Sequence, residues 1–175
     1  DKWYLMDDDG VMLTGWQKKG GKWYYLNKAG DMKTGWLMLG KNWYYLGSNG
    51  DMIKGWFAVA GTWYYSDSDG IMQTGWFKNK GTWYYLQPSG EMTTGWKKLG
   101  SKWYYFAGSG DMKTKWLDLG GKWYYLDSSS GVMLNGWEKI GNTWYWFDGN
   151  GVMATGTKKI GGKTYKFASS GAWTK

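Results

Sequence analysis

Apolar and polar positions fall into short runs that repeat along this chain. Residues 14–32 show the unit: Thr14-Gly15-Trp16, then Gly20-Gly21, then Trp23-Tyr24-Tyr25-Leu26, then Gly30-x-Met32. It returns about every 20 residues, and a fixed period of that size marks a solenoid or array. The tryptophan after Thr-Gly or its equivalent stands at 16, 36, 56, 76, 96, 116 and 137. The tryptophan opening Trp-Tyr-Tyr or its variant stands at 3, 23, 43, 63, 83, 103, 123 and 144. These two series hold 15 of the 17 tryptophans; all 15 tyrosines and eight of the ten methionines share the register.

Two aromatic-rich runs around a glycine turn predict a β-hairpin. Helix is not expected, because glycine and β-prone aromatics outnumber good helix formers. With Gly20-Gly21 as the loop, Lys19 faces Lys22, Lys18 faces Trp23, Gln17 faces Tyr24 and Trp16 faces Tyr25. Side chains alternate along a strand, so Trp16, Trp23 and Tyr25 share one face, and Tyr24 and Leu26 the other. The second face also takes the position three after the first tryptophan, which reads Lys19, Leu39, Val59, Asn79, Leu99, Leu119, Ile140 and Ile160.

A lone hairpin is marginal in water. One that is apolar on both faces must stack on its neighbours, and stability then lies in repeat-to-repeat interfaces. Each Trp or Tyr buries roughly 150–250 Å², which is ample. The expected fold is therefore all-β: a solenoid of stacked β-hairpins with about eight 20-residue repeats, forming one domain over 1–175. Residues 1–13 read as a truncated first repeat, with Trp3-Tyr4-Leu5 as a strand whose partner is missing. Residues 157–175 read as a degenerate cap, since Thr157 and Thr164 replace the two tryptophans. Other departures are Lys115 for the glycine before Trp116, an extra link residue at Ser128-Ser129-Ser130, and Trp146 for a tyrosine.

Composition narrows the chemistry. Aromatics make up 21%, which argues against disorder. There is no cysteine and no histidine, which excludes disulfide frameworks, Cys/His zinc sites and His-dependent triads. No apolar run approaches the roughly 18 residues of a transmembrane segment. No signal peptide heads the chain, so it reads as a mature product or a fragment. Asp7-Asp8-Asp9-Gly10 lacks the spaced ligands of a calcium loop and reads as a solvated turn. The net charge is +8 and every basic residue is lysine; without arginine for bidentate contacts, no nucleic-acid partner is expected.

Electron-rich rings gathered where hairpins meet suit a quaternary ammonium group, which donates no hydrogen bond and is drawn to ring faces by about 0.5–2 kcal/mol per favourable contact. Aromatic residues at strand spacing also serve as plain core. Leu or Ile would fill a core equally well, yet Trp recurs at both positions, and the last unit dispenses with it.

The pattern Thr-Gly-Trp-x₆-Trp-Tyr-Tyr-Leu-x₃-Gly-x-Met closely resembles the choline-binding repeats of pneumococcal-type surface proteins and cell-wall hydrolases, over essentially the whole chain. The resemblance implies hairpins stacked into a left-handed superhelix. Choline groups of teichoic and lipoteichoic acids would sit between consecutive hairpins. Each site would take two tryptophans from one repeat and a tyrosine from the next, with a methionine lining it. Carried onto this chain, the first site is Trp16, Trp23 and Tyr44 with Met32; the second Trp36, Trp43 and Tyr64 with Met52; the third Trp56, Trp63 and Tyr84 with Met72. The fourth is Trp76, Trp83 and Tyr104 with Met92, and the fifth Trp96, Trp103 and Tyr124 with Met112. The sixth is Trp116, Trp123 and Tyr145 with Met133, beside the bulky Lys115, and the seventh Trp137, Trp144 and Tyr165 with Met153. Strand alternation selects the first tyrosine of each pair.

The implied role is non-covalent anchoring of a secreted protein at a bacterial cell surface, with no cofactor and no catalysis by this chain. Nothing singles out the pair of carboxylates that a glycosidase needs. Lys18, Lys78, Lys98 and Lys139, each two residues after a site tryptophan, are expected to meet the phosphate beside each choline. The alternative is a glucan- or toxin-type carbohydrate-binding repeat, since aromatic stacking suits sugars as well. Those repeats usually lack the doubled tryptophan.

Overall fold

The computed structural model describes residues 2–174. Among the described residues the chain forms 17 strands and no helix. It divides into two compact units: residues up to 77 together with 85–92, and 78–84 together with residues from 93 onward.

In the first unit the strands Gly15–Lys19 and Lys22–Leu26, Gly35–Leu39 and Asn42–Leu46, and Gly55–Val59 and Thr62–Ser66 form three antiparallel hairpins. In the second, Gly95–Leu99 pairs with Lys102–Phe106, Lys115–Leu119 with Lys122–Leu126, and Gly136–Ile140 with Thr143–Phe147. Gly156–Ile160 and Lys163–Phe167 follow, and Trp173–Thr174 adds a third strand to that last sheet. The strands Gly75–Asn79 and Thr82–Leu86 lie where the units divide the chain.

The register is the one alternation dictates: Trp16 faces Tyr25, Gln17 faces Tyr24 and Lys18 faces Trp23. The two-residue loops are tight. Gly20 and Gly21 both take positive φ, 58° and 78°, as the hairpin turn with two left-handed residues requires.

Apart from that three-stranded last sheet, each hairpin in a unit is its own two-stranded sheet, so neighbours meet through side chains and links. The last residue of each second strand points inward and forms the core. Leu26, Leu46 and Leu86 fill this row in the first unit, and Phe106, Leu126, Phe147 and Phe167 in the second. Each such burial is worth about 1.5–3 kcal/mol. Ser66 breaks the row, buried with its hydroxyl unpartnered.

The links tie one repeat to another. The Met52 N–H donates to the Trp23 carbonyl (2.7 Å) and the Met72 N–H to that of Trp43 (2.8 Å). In the second unit the Met133 N–H reaches Trp103 and the Met153 N–H reaches Trp123, both at 2.8 Å. The methionine side chain then lies on the bare backbone of the next link: a β-carbon on Gly50 would overlap Met32, and one on Gly151 would overlap Met133. Glycine is required there for space as well as for its positive φ.

Trp3-Tyr4-Leu5 departs from expectation. These residues are not in a strand, because none of the described residues offers the partner strand; the Trp3 carbonyl nevertheless accepts from the Met32 N–H at 2.9 Å. Asp7 heads a turn, as expected, its Oδ1 accepting from the N–H groups of Asp9 (3.0 Å) and Val11 (2.8 Å).

Candidate functional site

Strand alternation sends both tryptophans of a hairpin to one face, where their rings meet at right angles. Trp16 and Trp23 lie 6.5 Å apart, Trp36 and Trp43 6.1 Å. The second tyrosine of each pair packs across its own hairpin, as Tyr25 does on Trp16 at 5.3 Å. The first tyrosine of the following hairpin closes the group, Tyr44 reaching Trp16 at 5.1 Å and Tyr64 reaching Trp36 at 4.9 Å.

The second unit repeats this geometry. Trp96 meets Trp103 at 6.5 Å and Tyr124 at 5.0 Å; Trp116 meets Trp123 at 6.2 Å and Tyr145 at 4.9 Å; Trp137 meets Tyr165 at 4.9 Å. The third group, Trp56, Trp63 and Tyr84, and the fourth, Trp76, Trp83 and Tyr104, divide between the two units, and only the repeat carries them. Lys115 does not disturb the sixth group. Its backbone takes the left-handed conformation of the glycine it replaces, with φ 66°.

Between the rings are open cavities. One of about 250 Å³ is lined by Trp16, Trp23, Tyr44, Met52, Lys54 and Asp69. Another of about 370 Å³ is lined by Trp36, Trp43, Tyr64, Met72, Pro88 and Ser89. The second tryptophan of a group stays well exposed, Trp43 at 39% and Trp123 at 41%, whereas Leu46 in the core row is at 0%. Tryptophan is highly buried on average, so rings exposed to this degree do not serve as core alone.

The methionines are distributed differently from the expectation. Met32 does not line the cavity of Trp16; it lies with Trp3 and Tyr24. Met52 joins Trp16 rather than Trp36, and Met72 joins Trp36 rather than Trp56. Backbone bonds extend the shift: Met92 binds to the Trp63 carbonyl (2.8 Å), Met112 to Trp83 (2.9 Å), Met133 to Trp103 and Met153 to Trp123. The reason is the link's unpaired N–H, which takes its acceptor from the second strand one hairpin further back.

The last cavity, about 240 Å³, is lined by Trp137, Trp144, Tyr165 and Trp173. Trp173 is the residue the sequence reading missed. The signal was present: Gly171-x-Trp173 continues the Gly-x-Met register with an indole in the methionine's place.

Charges stand at the rims. The Lys18 ammonium lies 5.9 Å from the Trp23 ring centre, and that of Lys78 5.6 Å from Trp83. Asp31 is held below the ordinary carboxylate range, first by the hydrogen bond from Lys2 (3.1 Å).

A family model described as a choline-binding repeat matches residues 1–35, 33–67, 58–94, 93–135 and 134–175. Among solved structures, CbpJ from Streptococcus pneumoniae TIGR4 is 41% identical with a TM-score of 0.91, over 99% of this chain and 70% of that one. Choline binding protein F from Streptococcus pneumoniae is 39% identical with a TM-score of 0.88, over 98% of this chain and 61% of that one. It has also been solved in complex with ipratropium by soaking. The choline-binding domain of CbpL from Streptococcus pneumoniae is 30% identical with a TM-score of 0.69, over 99% of this chain and 93% of that domain. This chain thus spans less than two thirds of choline binding protein F. Comparison with curated protein sequences gives no significant match.

Proposed function

This chain belongs to the choline-binding repeat family, and from that premise we propose that it anchors a larger protein to a bacterial cell wall by holding choline groups of teichoic and lipoteichoic acids. The observation that carries the reading is the recurring open cavity walled by two tryptophans and a tyrosine. A trimethylammonium head places methyl groups against ring faces, gaining electrostatic attraction without a hydrogen bond. The complex of choline binding protein F with ipratropium, itself a quaternary ammonium compound, supports the same chemistry.

The chain acts as one binding module over 1–175, and any murein hydrolase activity belongs to other parts of its parent. Lys18, Lys98 and Lys139 face Trp23, Trp103 and Trp144 across their hairpins. There they meet the phosphate that accompanies each choline. A net charge of +8 favours such a polyanion over a free cation.

One titration tests the whole reading: choline and a phosphocholine polymer are each added at low and high salt, followed by tryptophan fluorescence and thermal melting. Choline should quench or shift the emission and raise Tm, because it binds only stacked repeats. Polymer binding should weaken with salt more steeply than choline binding. An unchanged emission and Tm with choline, alongside a response to oligosaccharide, would assign the chain to the sugar-binding alternative. Equal salt sensitivity for the two ligands would remove the lysines from the site.

A further inference from the structure

The cavity at the C-terminal end differs from the others in the kind of wall it has. In the complete cavities of the first unit the fourth wall is a thioether, from Met52 or Met72, with further non-aromatic groups around it. At the end, Trp137, Trp144 and Tyr165 are joined by Trp173, and every lining side chain is aromatic.

Trp173 stands where the repeat's register places a methionine. In the preceding repeat Phe147 pairs with Met153 across an antiparallel bridge; in the last, Phe167 pairs with Trp173 in the same way. The bridge is shared, extended here by Lys166 opposite Thr174 into a short ladder, and an indole stands in place of the thioether. The indole is also held in place. Its ring lies 5.8 Å from Trp137 at 75° and 6.4 Å from Tyr165 at 66°. The strand carrying it is pinned by the Thr174 hydroxyl, which donates to the Lys166 carbonyl at 3.1 Å. Yet Trp173 remains 37% exposed and Trp144 41%, so the cavity has an open mouth.

Resting on the reading above, we infer that Trp173 makes the terminal cavity the tightest and most selective quaternary-ammonium site of the chain. A thioether gives mainly dispersion contact. A fixed indole offers another negative ring face at little ordering cost. No carboxylate or hydrogen-bond acceptor other than the tyrosine hydroxyl lines this cavity. A primary ammonium would therefore give up its hydrogen bonds to water without replacement. Methylation removes that cost and adds apolar surface, so the cavity ranks trimethylated above unmethylated ammonium.

The test is Trp173→Met, which restores the residue this position carries elsewhere in the repeat, with Trp173→Phe beside it. The full chain, with 15N-labelled indoles, is titrated with choline and with ethanolamine, and affinity is read at each cavity from its own indole N–H signals. We expect the wild-type terminal site to bind choline more tightly than the others. Trp173→Met should weaken it about fivefold and Trp173→Phe by less. The other sites and the ligand-free Tm should hold, and the preference for choline over ethanolamine should narrow at this site alone. An unchanged affinity at the terminal site would overturn the inference. So would a loss spread evenly over all sites that follows a drop in ligand-free Tm, the signature of a residue that merely closes the fold. Absence of choline binding at every site of the wild type would instead overturn the choline reading itself.

Discussion

Lys115 shows how one residue can be out of place without harm to the cavity beside it. It sits at φ 66°, where the equivalent Gly15 and Gly35 both lie at 72°. The strain is in the backbone alone, since a β-carbon at Gly15 or Gly35 would have nothing within 4 Å. A left-handed non-glycine residue costs about 1–2 kcal/mol, of which glycine's extra freedom when unfolded returns part. Lys115→Gly should therefore stabilise the chain by about 0.5–1 kcal/mol and raise Tm by about 2 °C, with choline affinity at Trp116 unchanged. Calorimetry checks the first and titration the second. The aromatic residues of the cavities were legible because each recurs at a fixed place in the period. The methionine assignments were not. Gly-x-Met marks the position in the link but says nothing of which earlier strand its N–H will reach, a choice made by stacking. Trp173 escaped for a related reason, since a single substitution at the chain's end resembles decay of the repeat until its neighbours in space are known.

At the scale of the hairpin, strand pairing followed from the glycine turn and the alternation, down to Trp16 opposite Tyr25. The links were less readable, because their shape rests on side chains that cap their own backbone. Asn27 Oδ1 accepts from the N–H groups of Ala29 (2.8 Å) and Asp31 (2.9 Å), and Asp148 Oδ1 does the same for Asn150 (2.8 Å) and Val152 (2.9 Å). Where the link is one residue longer, the device grows. Asp127 Oδ1 accepts from both the N–H and the hydroxyl of Ser129 (3.1 and 2.7 Å) and of Ser130 (2.8 and 2.7 Å). Those bonds, led by the Ser129 hydroxyl, hold its carboxyl far below the ordinary range. An unfolded aspartate titrates near 3.9. The folded value lies lower, so this carboxylate stabilises the fold above about pH 4, and its contribution fades as the pH falls toward the folded value. Asp127→Asn keeps an acceptor but cannot titrate. Between pH 5 and 2 its Tm should fall less than that of the wild type, and a melting series in that range measures the difference.

For the molecule as a whole, the proposed anchoring would rest on many weak sites acting together. A single cavity offers only a few ring contacts, and strength against a polymer comes from simultaneous engagement, which adds roughly 10² to 10⁴ in avidity. The second tryptophans are suitable probes because they are well exposed and carry little of the core. Trp43→Ala alone should change release from a choline-bearing surface by less than about tenfold. Replacing Trp23, Trp43, Trp103 and Trp123 together should remove most of the avidity, roughly 10² or more. The choline concentration needed for elution reads both. A fourfold variant that elutes with the wild type would mean that these cavities do not share the load.

The methionine reaching back past its neighbour has an evolutionary corollary. A cavity such as that of Trp16, Trp23, Tyr44 and Met52 is stitched from successive blocks of one period. Duplicating or deleting one whole block in the gene leaves the new neighbours in phase, so each surviving cavity is rebuilt from equivalent parts. A change of any other length would strand a methionine without its tryptophan carbonyl, unless the surplus is absorbed in a link, as it is at Ser128-Ser129-Ser130. Arrays of this kind can thus lengthen or shorten in steps of one block, retuning their grip without inventing a new contact.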